Sequence, residues 1–154
     1  MTAHPGGHDE RRIVVGVDGS VPSKAALAWA AGQASLTGAT VEAVIAWEFP
    51  TTYGYPIPVS DVDWEGLATQ VVTDSIAEVS ATSTRARFSY KVEQGNAAQA
   101  LLDESAGAEL LVVGSRGHGG FAEALLGSVG QQCVHHATCP VVVIRDSVTD
   151  AVHS

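Results

Sequence analysis

The stretch Gly114-Ser115-Arg116-Gly117-His118-Gly119-Gly120 places four glycines within seven residues, directly after the apolar run Leu110 to Val113. Glycines at that density are unfavourable unless the backbone needs positive φ or a close approach. Successive N–H groups of a glycine turn point into one concavity, and such concavities bind phosphate. A second anion site lies about ten residues on, at Gly127-Ser128, where a helix is predicted to begin. Its unpaired N–H groups and its dipole favour negative charge there. Together the two elements would grip the phosphates of one nucleotide from two sides. Arg116 would add a charge-assisted contact, and His118 would approach the same anion. The competing reading is a tight turn without ligand; the position after a buried strand, with a helix start facing it, favours the ligand.

Other chemistries fit less well. No Gly-Lys-Ser/Thr follows the glycines, so this is not a Walker A loop, and Val17-Asp18-Gly19-Ser20 after the first strand is not the dinucleotide fingerprint. Cys133, His135, His136 and Cys139 suggest zinc at first sight. A zinc site needs three or four converging ligands with supporting partners, and burial of Cys133 and His136 against the core explains them more simply. Nothing points to a reactive cysteine of depressed pKa. There is no Ser-His-acid pattern and no carboxylate pair in the glycine loop. Hydrolysis of a nucleotide needs a water-orienting group and usually a magnesium ion. Asp18, Ser128 and His118 are the nearby candidates, which implies binding with slow or no turnover.

The elements that must position these residues follow from periodicity. Ile13 to Val17, Val41 to Trp47, Leu110 to Val113 and Val141 to Ile144 are short Val- and Ile-rich runs, the pattern of strands buried on both faces. Arg85 to Val92 alternates polar and apolar residues and reads as a half-exposed edge strand. Helical spacing links Ala25, Trp29, Gly32 and Leu36, and again Trp64, Ala68, Val71, Val72, Ser75 and Val79. Two shorter helices carry capping-box patterns, Asn96 with Gln99 and Ser128 with Gln131. Strict alternation of five strands with four helices predicts a Rossmann-like α/β fold, a doubly wound parallel sheet with helices on both faces. In such a sheet ligands sit outside the carboxyl ends of the strands. Asp18 and Trp47 stand there as well. Asp18 is either a turn acid opening the next helix beside Ser20 or a ligand contact; Trp47 is either a core aromatic or a ligand contact. The Pro- and Tyr-containing segment 48–60 is a surface connection rather than a lid.

Composition narrows the function further. The chain has 154 residues, the length of one domain, with a net charge of −9. Such an acidic chain lacks the basic footprint for nucleic acid or an anionic membrane. A phosphate ligand must therefore rest on backbone N–H groups and very few cations. No apolar run reaches membrane-spanning length, and the polar residues 1–12 lack a signal-type stretch, so a cytoplasmic location is expected. Two cysteines make no disulfide framework. Flexible tails are expected over 1–10 and 147–154, flanking one domain over 11–146.

The spacing Gly114-x2-Gly117-x9-Gly127-Ser128, after Leu-Leu-Val-Val, resembles the nucleotide-binding signature of the universal stress protein family. Val15-Gly16-Val17-Asp18-Gly19-Ser20, Leu125-Leu126-Gly127-Ser128-Val129 and Cys139-Pro140-Val141-Val142-Val143-Ile144 extend the resemblance over roughly Arg11 to Arg145. It implies an ATP-binding regulatory protein, with ATP bound alone or with Mg2+. Asp18 would contact the nucleoside and Trp47 would lie by the adenine. Gly114, Arg116, Gly117, Gly127, Ser128 and Val129 would hold ribose and phosphates. It implies the strand order 3-2-1-4-5, which agrees with the edge reading of Arg85 to Val92. That order leaves Val141 to Ile144 as an apolar open edge, a hazard unless covered. A homodimer through this strand follows, as is common in the family. The alternatives on the same fold are a slow ATPase or nucleotidyl-transferring enzyme and a cyclic-AMP sensor; a flavin protein fits less well.

Overall fold

Runs of Val, Ile and Leu become the inner strands of one parallel sheet, and the segments between them wind over its two faces. The computed structural model describes residues 11–48, 51–52, 55–56, 62–82, 85–115 and 127–145. The elements are β1 (Arg12–Gly16), α1 (Val21–Thr37), β2 (Thr40–Trp47), β3 (Thr51–Thr52), β4 (Tyr55–Pro56), α2 (Trp64–Ser80), β5 (Arg87–Gln94), α3 (Ala97–Ser105), β6 (Leu110–Gly114), α4 (Ser128–His136) and β7 (Val141–Ile144). The main sheet has the order β5-β2-β1-β6-β7, with every neighbouring pair parallel. Counting its strands alone, this is the expected order 3-2-1-4-5. The short β3 and β4 form a separate antiparallel pair inside the predicted connection 48–60.

Alternation along the strands divides the core in two. Ile13, Val15, Val41, Ala43 and Val112 pack under α1 and α2. Val14, Val44, Leu111 and Val113 pack under α3 and α4, against Leu101 and Cys133. β5 lies at one edge, where Phe88 and Val92 pack on the first layer and Tyr90 remains 46% exposed. It begins two residues later than the polar–apolar alternation from Arg85 suggests and ends at Gln94. β7 lies at the other edge, half-buried throughout.

One helix face differs from the sequence expectation. α1 buries Ser23, Ala26, Leu27, Ala30, Ala31 and Ala34, whereas Leu36 is 81% exposed. The inward face is rotated by about one residue from the line Ala25-Trp29-Gly32-Leu36. Alanines allow the helix to sit close on the sheet, and Trp29 then packs only at the rim. The helix ends are set locally. Ser20 Oγ accepts from Ser23 N at 3.3 Å, and Gly38, at φ +83°, donates its N–H to Ala34 O at 2.8 Å. Asn96 caps α3 through Gln99 N at 2.9 Å, while the Gln99 side chain turns to Asp103. In α4 the cap is Gly127 and Ser128 is already helical, so the predicted Ser128 cap does not form. Among the described residues no helix is long and apolar enough to cross a membrane.

Candidate functional site

The strand order reverses between β1 and β6. From β1 the chain leaves through α1 toward β2; from β6 it leaves through α4 toward β7, on the opposite face. The two loops diverge, and the gap between them at the carboxyl ends is where an open α/β sheet receives a ligand.

Asp18 stands on the β1 side of that gap, half-buried. One carboxylate oxygen accepts from Ser20 N at 2.9 Å, and Asp18 N donates to Ser23 Oγ at 3.2 Å. Ser23 Oγ in turn donates to Ser20 O at 3.0 Å. The turn-acid reading of Asp18 is thus realised, and the same bonds fix its carboxylate at the head of the gap. Gly19 makes the turn possible: its φ is +83°, and a Cβ there would meet Val71 Cγ1 of α2 at 2.9 Å.

Gly114 closes β6 on the other side. A Cβ at Gly114 would lie 2.8 Å from the Pro22 carbonyl carbon, carbonyl oxygen and Cβ. The glycine therefore lets the first turn of α1 lie against the end of β6. Ser115, next in the chain and buried, donates its N–H to Ile144 O at 2.8 Å and accepts from Gly127 N at 2.6 Å. This pinch fixes the first turn of α4 at the end of β6. It also engages the Gly127 N–H inside the protein. The first bond within α4 runs from Gln131 N to Gly127 O at 2.9 Å. The N–H groups of Ser128, Val129 and Gly130 therefore have no acceptor within the helix, and they are the donors that an anion can use. Of the predicted loop residues, Arg116, Gly117 and His118 lie outside the described residues.

Trp47 ends β2. Gly16 pairs in register with Val44, so Ile45, Ala46 and Trp47 continue beyond β1 by about 10 Å. The Trp47 carbonyl accepts from Gly95 N at 2.8 Å, and its half-buried ring packs on the α1–α2 core. The core-aromatic reading of Trp47 is thus realised, at the carboxyl end of β2. Asp18, Trp47, Gly114, Gly127, Ser128 and Val129 are thus all at the carboxyl end of the sheet. Sequence reading did not single out Ser23, Pro22 or Ser115 as what fixes them. Ser and Pro at a helix start are visible signals, but the Pro22–Gly114 approach is a tertiary contact.

The metal-like residues do not assemble. Among the described residues no three His, Cys, Asp or Glu side chains converge as a metal site. Cys133 is fully buried, but His136 is exposed rather than packed inward. Burial, with the nearby Cys139 second, pushes the Cys133 thiol up to about 11. Burial also raises Cys139, against the lowering effect of Ser105.

The model of the Universal stress protein family matches residues 10–145. Universal stress protein Rv2623 of Mycobacterium tuberculosis (strain ATCC 25618 / H37Rv) is 35% identical over 140 residues, covering 89% of this chain and 46% of its own length. The chain spans about half the length of the curated relatives it matches. A crystal structure of a universal stress protein in complex with cAMP superposes with TM-score 0.68 at 24% identity, covering 90% of this chain and 98% of that one. The universal stress protein from Archaeoglobus fulgidus in complex with dAMP gives 0.59 at 21% identity, covering 87% and 97%.

Proposed function

We propose that this chain, which belongs to the universal stress protein family, is a cytoplasmic ATP-binding regulatory module of the stress response with little or no hydrolysis. The observation that carries the reading is the Ser115–Gly127 pinch, which fixes the α4 start and its three N–H groups beside the reversal of strand order. The phosphates would rest on Ser128, Val129 and Gly130 N–H, with Arg116, Gly117 and His118 approaching from the connecting segment. Gly127 serves by having no side chain beside the ligand, because its N–H is already engaged. Gly114 positions the cradle by admitting Pro22. Asp18 would take the nucleoside and Trp47 the adenine. Nucleotide bound here would bias a homodimer paired through β7; it can do so only by binding that state better than the alternative.

The similar structures in complex with cAMP and dAMP support an adenine nucleotide. The cAMP complex also favours a second reading, a cyclic-nucleotide sensor in the same gap. Heat release of nucleotide from the purified chain, followed by chromatography, tests both. ATP in the supernatant, displaced poorly by excess cAMP, is the result expected. Preferential retention of cAMP would establish the second reading. Phosphate release at many turnovers per minute, lost in Asp18→Ala with binding retained, would instead make the chain an enzyme.

A further inference from the structure

Leu67, in the second turn of α2, is a large apolar side chain left 53% exposed. A single exposed leucine needs no explanation. Its place on the helix is what matters. Ala68, Val72, Ser75 and Val79 form the face of α2 buried on the sheet. One residue back, a second line of side chains meets the α1 side. A Cβ at Gly19 would lie 2.9 Å from Val71 Cγ1, and two turns further along Glu78 Oε1 pairs with Lys24 Nζ of α1 at 3.1 Å. These two contacts fix how far α2 is slid along α1. They set Val71 level with the Asp18-Gly19-Ser20 turn, so that residues 64–70 of α2 continue past it. Leu67 precedes Val71 by one turn on the same line, about 6 Å further out. It stands over the turn, at a height where α1 has not begun.

Both sides of this corner are held in place. Below, Asp18 is tied to Ser20 N and Ser23 Oγ. Above, Asp63 Oδ1 caps α2 by accepting from Gly66 N at 2.9 Å, and Ala68, next to Leu67, is buried. We propose that Leu67 is an apolar contact for the nucleoside that Asp18 receives, a ligand residue on α2 rather than on the loops at the strand ends. This rests on the nucleotide reading of the gap. A nucleoside has a polar edge and apolar faces, and a site for one combines a few placed polar groups with apolar cover. The Asp18 turn presents the polar groups. Leu67 supplies cover directly above them, and a nucleoside seated on the turn displaces water from its exposed side.

The test is calorimetric titration of the full chain with ATP and with cAMP, for wild type, Leu67→Ala, Leu67→Met and Leu36→Ala. Leu36 is the control, 81% exposed but at the far end of α1. Without ligand the four proteins should melt within about 3 °C of one another, as for exposed sites. Leu67→Ala should bind the preferred nucleotide roughly fivefold to twentyfold more weakly than wild type. Leu67→Met, which keeps the apolar volume, should stay within about twofold, and Leu36→Ala should be unchanged. Wild-type affinity in Leu67→Ala, or an equal loss in Leu36→Ala, would overturn the contact while leaving nucleotide binding intact. Absence of binding of either nucleotide by wild type would instead overturn the reading of the gap, and this contact with it.

Discussion

Gly114 shows how one residue can belong to a ligand motif and yet be required by packing. Its missing side chain is the space that Pro22 occupies, at 2.8 Å from a would-be Cβ. Gly114→Ala should therefore destabilise the fold by about 1–3 kcal/mol in urea unfolding, since backbone atoms must move. Gly32→Ala is the contrasting control. A Cβ there meets nothing within 4 Å, so the helix should gain about 0.5–1 kcal/mol. Equal effects at the two positions would contradict this account. Cys133 provides another test. Fully buried, with its thiol raised to about 11, it should resist a disulfide reagent at neutral pH until the chain unfolds. Rapid labelling of Cys133 in the native protein would refute the burial. The glycine spacing was legible in the sequence because its chemistry is local. The reason for Gly114 was not, because it needs α1 laid across β6. Glu42 left a signal, a lone carboxylate in a largely apolar strand, but its partner Arg12 comes from β1.

At the scale of elements, the strands were legible because β-branched runs bounded by Gly, Pro and charged residues have few other uses. The inward face of α1 was not. Ala26, Ala30, Ala31 and Ala34 carry little apolar contrast, while Trp29 and Leu36 dominate any reading by size. Close approach to the sheet selected the small side chains. Leu36→Lys should consequently change stability by no more than about 0.5 kcal/mol, as for an exposed site without partners. Ser20→Ala should cost about 1 kcal/mol, since Ser20 caps α1 through Ser23 N. Asp18 is held by Ser20 N and Ser23 Oγ, which this variant keeps, so nucleotide binding should weaken no more than the stability loss explains.

At the scale of the molecule, strand order decides both where a ligand fits and which edge is open. Pro140 O accepts from Leu111 N of β6 and Ile144 O from Ser115 N just beyond it. In a parallel ladder alternate residues face the same neighbour, so Val141 and Val143 turn their backbone groups outward from the sheet. On the proposed dimer, Val143→Pro removes an outward N–H while leaving the bonds to β6, and should give a folded monomer by sedimentation. An unchanged oligomer would place the interface elsewhere. The central claim, nucleotide held by the gap between β1 and β6, is tested most directly by thermal shift of the full chain with ATP, alongside Gly127→Val. At about a hundredfold excess over Kd, wild type should melt roughly 5–10 °C higher, and the variant should show little rise. No shift of wild type with millimolar ATP or cAMP, or an equal shift in Gly127→Val, would contradict the assignment.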